Sequence, residues 1–313
     1  MDSKVSYDLR SNKGYTIYLP SYKGGQEGWG NLAEPDPHRD VDTAQKYPIE
    51  TVIRKDARAW RYARVADING DGETRQIRRG TGLQSEACVN SYTDKLIAET
   101  GYNTLDVYKL KMDLTTHVNY LNAATAVAAN DYAGGHFTVY TPASYWGCMI
   151  VENTAEDSDG YVKLTLESPL PFVLTAAHII SLEEGMYWKV KHTGASGTHA
   201  CTVGFPCIWS EFKTLAEGTG PVQDGNFLWL QTWGPYEGII MGNTHGVAGL
   251  ERMGFINVDT AAGVYPDKNV YPKYAADAMP QICGFYTANN YKGGAPADFD
   301  YNYLTTFFLT IAA

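Results

Sequence analysis

Short apolar and aromatic runs, separated mostly by Gly, Asn, Asp and Pro, recur along this chain and limit what it can become. The runs are HFTVYT (136–141), WGCMIVE (146–152), YVKLTLE (161–167), MYWKVKH (186–192), NFLWLQTW (226–233), GIIMG (238–242), RMGFINV (252–258), QICGFYT (281–287) and YLTTFFLTI (303–311). Each has strand length, and no long helical pattern alternates with them, so the sequence predicts an all-β chain: a β-sandwich or barrel body of many short antiparallel strands. Upstream, YPIETVIR and AWRYARV flank a turn at Lys55-Asp56, with Trp60, Tyr62 and Arg64 expected on one aromatic face. The final run sets Phe307, Leu309 and Ile311 against Thr306, Phe308 and Thr310, as expected of a terminal strand docked in the core. The expected helical content is one or two short helices. SYTDKLIAETG (91–101) fits a helix with a Ser91/Asp94 capping box and a Gly101 stop, while the Ala-rich stretch 121–129 is compatible with helix or loop.

Residues 1–46 carry no clear period and are rich in Gly, Pro, Tyr and charge, as in YKGGQEGWGNLAEPDPHRD. They read as an extended N-terminal arm ahead of a β-rich body at 47–313, with room for a split into two β subdomains near 195–225. The 31 Gly fit many turns, and the 23 Tyr suit strands and contact surfaces alike.

A net charge of −10 argues against primary nucleic-acid binding, which needs clustered cations. The basic clusters Arg54–Arg64 and Arg75–Arg79 are short and read as solvated strand faces. No apolar run reaches membrane-spanning length, and the start Met1-Asp2-Ser3-Lys4-Val5-Ser6 lacks the apolar stretch of a secretion signal. Five cysteines, an odd number and widely spaced apart from Cys201 and Cys207, suit reduced thiols rather than a disulfide framework.

The string Leu174-Thr175-Ala176-Ala177-His178 matches the surroundings of the general-base histidine in chymotrypsin-like proteases. That chemistry needs a serine downstream in a Gly-rich turn, and only Ser181, Ser196 and Ser210 follow, none in such a turn. A cysteine version would use His178, Cys283 before Gly284, and Asp224 as orienting group. However, Gln281 and Phe285 stand where glycines belong, and the stretch reads as an ordinary strand. Asp67, Asn69, Asp71 and Gly72 in DINGDGE (67–73) match the start of a calcium loop. Arg78 occupies the position of the bidentate Glu, so a hairpin turn is the favoured reading. His192, His199, Cys201 and Cys207 lack the paired spacing of zinc ligands. NYKGGAPAD around Lys292 has no following helix and is a loop, and Glu183-Glu184 reads as solvated surface. No catalytic, cofactor-binding or metal-binding residue is assigned, and no cofactor is expected.

YPIETVIRKDARAWRYARV, AVAANDYAGGHFTVYT, VKLTLESPLPFVLT, FLWLQTWGP and YLTTFFLTI together resemble virion structural proteins of tailed bacteriophages, mostly uncharacterised head or capsid proteins. The resemblance covers 47–311 discontinuously and is most specific at Asp131–Gly135 and Phe227–Pro235. The departures are the arm, an insert near 84–104 and the loop 289–300. The resemblance implies a non-enzymatic capsid decoration or stabilising protein on the virion surface, assembled in the host cytoplasm. Its implied partners are the major capsid protein and copies of itself, with a trimer the expected oligomer and neither membrane nor direct nucleic-acid binding. A tail, fibre or minor coat component is the alternative within the virion. Outside it stand the cysteine protease with His178 and Cys283, and a carbohydrate-binding β module.

Overall fold

The computed structural model describes residues 8–11, 13–20, 34–65, 82–85, 92–94, 109–113, 129–141, 144–155, 161–168, 170–172, 179–192, 202–208, 222, 225–239, 253–256, 264–265, 281–286 and 304–311. Nineteen strands and no helix lie among them, and every strand pairing is antiparallel. In chain order they are β1 (Asp8–Arg10), β2 (Thr16–Tyr18), β3 (Val41–Asp42), β4 (Val52–Lys55), β5 (Arg58–Arg64), β6 (Leu83–Ser85), β7 (Tyr92–Asp94), β8 (Lys109–Asp113), β9 (His136–Thr141), β10 (Ser144–Asn153), β11 (Tyr161–Leu166), β12 (Ile179–Glu183), β13 (Val190–His192), β14 (Thr202–Pro206), β15 (Phe227–Ile239), β16 (Met253–Ile256), β17 (Val264–Tyr265), β18 (Ile282–Tyr286) and β19 (Leu304–Thr310). They form two open sheets. The larger runs β1-β2-β4-β5-β15-β19-β18-β16-β17, with β3, β6, β13 and β14 branching from it. The smaller runs β7-β12-β9-β10-β11-β8. The all-β expectation holds, and neither sheet closes into a barrel.

The thirteen-residue strand β15 organises the larger sheet. It pairs with β5 along Phe227–Trp233 and with β19 along Trp233–Ile239. At Phe227–Leu228 it also holds β3, and at Leu230–Gln231 β14, both on the edge opposite β5. Its run from Phe227 to Thr232 is buried residue after residue rather than alternately, so both faces of the strand are covered there. Trp229, Tyr47 and Tyr62 meet there with ring centroids 4.9–5.1 Å apart, and Tyr62 stacks on Phe227 at 5.9 Å.

Three expectations are corrected. Parts of the 1–46 segment belong to the body: β1, β2 and β3 are strands of the larger sheet, and Tyr15 and Ile17 lie in its core. The run TIY is too short to stand out among Gly and Pro. Its side chains alternate inward nonetheless, after a turn in which Gly14 (φ +83°) donates to Ser11 O and Ser11 Oγ accepts from the amide of Tyr15. Second, Tyr92–Asp94, assigned to a helix, pairs as a strand with Ile180–Leu182; residues 91 and 95–101 of that stretch, and 121–128, lie outside the described residues. Third, Arg54–Arg64 is no solvated face. β5 is buried on both sides, and Arg54, Lys55, Arg58, Arg61 and Arg64 each lie 5.0–5.5 Å from an aromatic ring centroid. In each pair the charged group itself lies over the aromatic ring.

The Gly234-Pro235 pair, which separates the runs 226–233 and 238–242 in the sequence reading, lies inside β15. Gly234 (φ +92°) faces the β4–β5 turn so closely that a Cβ would sit 2.1 Å from Ala57 O. The ladder with β5 shifts register between Gln231 and Trp233. There the Gln231 side-chain amide donates to Trp233 O at 3.1 Å and Pro235 O at 2.8 Å, so the bulge leaves neither carbonyl unsatisfied.

Candidate functional site

Gln281, Cys283 and Gly284 of QICGFY each have a packing role. Gln281 clamps the backbone of Thr202: it accepts from Thr202 N and donates to Thr202 O, both at 2.8 Å. Cys283 is buried, its thiol donates to Gly254 O at 3.3 Å, and burial pushes its pKa up to about 12. A catalytic cysteine needs the opposite setting, a depressed pKa and access to substrate. Gly284 is demanded by the neighbouring strand, since a Cβ there would sit 1.9 Å from Phe308 O. The Cys-Gly pair is therefore accounted for by sheet packing. His178 and Asp224 lie outside the described residues.

The other sequence candidates divide the same way. Asp67–Glu73, His199, Cys201 and Lys292 lie outside the described residues, and His192 ends β13 opposite Leu83. Cys207 is a core residue: its sulfur accepts from Trp60 Nε1 at 3.4 Å and donates to Gln231 Oε1 at 3.2 Å. Among the described residues no three His, Cys, Asp or Glu side chains gather to hold a metal ion. Glu183 is exposed, whereas Glu184 is withdrawn from solvent into an ion pair with Lys189 at 2.5 Å.

Two polar centres carry no sequence motif. In the first, Tyr62 OH donates to Asp42 Oδ2 at 2.9 Å and accepts from Lys46 N at 3.3 Å, while the Lys46 ammonium pairs with Asp42. Burial and the Asp42 charge hold the Tyr62 hydroxyl protonated well beyond its usual range. In the second, Glu50 lies in a turn at φ +71°, its amide bonded to Tyr62 O. Burial raises its carboxyl pKa to about 7, against the opposing pull of Arg61 and a hydrogen bond from the Met186 amide. Arg61 lies over the Tyr187 ring, and its Nε has no hydrogen-bond partner among the described residues. A lone Glu in a strand-like run announces neither its positive φ nor its burial.

The two sheets meet where β12 turns into β13. Trp188, in the core of the larger sheet, donates from Nε1 to Asp131 Oδ1 at 3.0 Å. Asp131 begins the Asp131–Gly135 turn leading into β9, in which Tyr132 N is held by Asn153 Oδ1 at 2.8 Å. Gly135 lies so near the β12 backbone that a Cβ would fall 1.9 Å from Glu183 O. The described residues thus present packed aromatic faces and structural polar bonds rather than an open chemical centre. Comparison with protein-family models, with curated proteins and with solved structures finds no match.

Proposed function

We propose that this chain is a non-enzymatic structural protein of a tailed-phage virion, a decoration or stabilising protein seated on the capsid surface. Its partners are the major capsid protein lattice and further copies of itself, with a trimer suited to threefold lattice positions. The two sheets form a sandwich-type body. One observation carries the reading. The two segments with the most specific resemblance to virion proteins are those that build the architecture. Phe227–Pro235 lies in the strand at the centre of the larger sheet, and Asp131–Gly135 is the turn that ties the smaller sheet to it. A likeness concentrated in the frame is what a shared structural task requires. Capsid accessory proteins act by burying surface against neighbours, for which aromatic contact area matters and titratable pockets do not.

The test is a cryo-EM map of purified particles together with copy number from gel densitometry. On the order of hundreds of copies on the shell supports the reading, since a lattice repeats each position. A handful of copies at the tail or vertex assigns a tail, fibre or minor coat role instead, and absence from the particle rejects the virion reading.

A further inference from the structure

Four hydrogen bonds fold the chain around the Asp36-Pro37 peptide bond. The carbonyl oxygen of Asp36 accepts from two backbone amides, Arg39 N at 3.0 Å and Asp40 N at 2.8 Å. The Asp36 side chain folds back along Pro37, its Oδ1 accepting from His38 N at 3.3 Å. Asp36 N donates to Asp40 Oδ2 at 2.6 Å, which brings a second carboxyl to the same stretch of backbone. Lys13 Nζ stands 3.5 Å from Asp36 Oδ2. Pro37 is buried, whereas the Asp36 side chain is 29 % exposed, so water reaches the carboxylate.

A turn of this shape is common, and the residue pair inside it is what gives it chemistry. After most aspartates the next backbone N–H can attack the side-chain carboxyl and close a succinimide. Pro37 has no N–H, so that path is shut. What remains is attack by a side-chain oxygen on the Asp36 carbonyl carbon, which closes a five-membered ring. The Pro37 nitrogen belongs to a tertiary amide and takes a proton more readily than an ordinary peptide nitrogen. The two N–H donors on Asp36 O are what the developing oxyanion needs. Nucleophile and electrophile belong to one residue, so the step requires no open pocket.

We propose that the Asp36-Pro37 bond is a self-cleavage site. An Asp36 carboxylate oxygen bonds to the Asp36 carbonyl carbon, the C–N bond to Pro37 breaks, and the Pro37 nitrogen takes a proton from the Asp40 carboxyl. Water then opens the cyclic anhydride, restoring the Asp36 side chain and freeing its α-carboxylate. Of the two protons that water releases, one returns to Asp40 and the other goes to the Pro37 amine. The donor must be protonated, so cleavage accelerates as pH falls. Burial raises the Asp40 carboxyl above its ordinary range against the pull of the Asp36 amide, with Asp42 and Asp36 adding to the rise and Lys46 opposing it. The other charged or titratable groups facing the turn are Lys13, Glu34, which accepts from Lys13 N at 2.7 Å, Tyr15 with Arg58 beyond it, and His38, edge-on to Trp60. Cleavage divides residues 1–36 from 37–313 but leaves β2 paired with β4 and Tyr15 and Ile17 in the core, so the first segment stays bound. A single self-cleavage is not turnover, and the inference stands apart from the virion reading.

The experiment incubates the purified full chain at about pH 5 and about pH 7.5, with and without urea, and reads intact and peptide masses over days. One fragment ending at Asp36 and one beginning at Pro37 are expected, formed roughly tenfold faster at the lower pH and roughly tenfold faster in the folded chain than in urea. Asp36→Asn keeps an acceptor for His38 N but lacks the nucleophile, and is expected to stay whole. Asp40→Asn keeps an acceptor for Asp36 N, and is expected to slow cleavage and flatten its pH dependence. Circular dichroism verifies that the variants are folded. Should they unfold, hydroxylamine added to the wild-type chain decides the matter: it opens the anhydride to a hydroxamate on Asp36, which direct hydrolysis of the bond does not give. A folded wild-type chain that stays whole at both pH values, cleavage as fast in urea as in the folded state, folded variants that cleave like wild type, or fragments without hydroxamate overturns the proposal.

Discussion

Trp188 Nε1 donates to Asp131 Oδ1 across 3.0 Å, joining a core side chain of the larger sheet to the turn that opens β9 of the smaller one. The bond is charge-assisted and partly buried, so losing it costs more than a neutral surface bond: about 1.5–3 kcal/mol. Asp131→Ala and Trp188→Phe are expected to lower the urea midpoint by that equivalent. Asp131→Asn, which keeps an acceptor oxygen, loses under about half as much. If the bond couples the sheets, the Ala variant also separates one unfolding transition into two when aromatic fluorescence and circular dichroism are compared. Coincident, unshifted curves for all three variants would remove the bond from the account of stability.

Gly284 and Gly135 share one constraint, the carbonyl of a neighbouring strand where a side chain would begin. A Cβ at either position would lie 1.9 Å from backbone oxygen, Phe308 O for Gly284 and Glu183 O for Gly135. Backbone cannot yield as a flexible side chain can, so Gly284→Ala and Gly135→Ala each are expected to cost about 3 kcal/mol or more, or to abolish soluble expression. Gly14→Ala is the control. It has a positive φ but open space around it, and only the backbone penalty of about 1 kcal/mol applies. Thermal melts of the three proteins rank these effects directly.

The strands that sequence reading located are those with long alternating or continuous apolar runs, such as β9, β10, β11, β15 and β19. Among those it missed, two kinds stand out. β2, β3 and β6 have three residues or fewer and draw their stability from neighbours, as Tyr15 does from Trp60 at 5.9 Å, so local sequence carries little of their signal. β14 is buried at every residue from Thr202 to Pro206, a pattern with no period to detect, and its Gly204 reads as a break. Gly204 is where the strand passes closest to β15: a Cβ would sit 2.7 Å from the Leu230 Cβ. The protease-like Cys283-Gly284 pair shows the converse. A motif was legible, but the spacing that creates it comes from a bulge and a close strand approach, and both depend on tertiary pairing.

Thiol chemistry checks the assignment of the cysteines. Cys148, Cys207 and Cys283 are buried, and burial holds Cys283 as the thiol, its pKa pushed up to about 12. Alkylation at about pH 8 followed by peptide mass spectrometry is expected to leave Cys207 and Cys283 unmodified in the native protein and to label both in denaturant. Rapid native labelling of Cys283 would restore it as a candidate nucleophile.

Glu50 makes stability depend on pH in a direction opposite to an ordinary salt-bridged acid. Its folded pKa, raised by burial to about 7, exceeds the ordinary glutamate value of 4.5, so between the two the folded chain holds a proton that the unfolded chain has released. Below about 4.5 the carboxyl is protonated in both states and contributes no difference. As pH rises from there to about 7 the folded state must accept an increasingly unfavourable buried charge, and above 7 the loss is complete. A gap of this size corresponds to roughly 3 kcal/mol. Glu50→Gln keeps the shape and an acceptor for the Met186 amide but removes the titration. The variant is therefore expected to match wild type at pH 4.5 and to be the more stable by up to roughly that amount at pH 7.5. Urea unfolding at four pH values between these limits measures the difference directly, and other titrating groups cancel in the comparison. A wild-type curve that runs parallel to the variant's across the whole window would show that Arg61 and solvent hold Glu50 as an ordinary carboxylate.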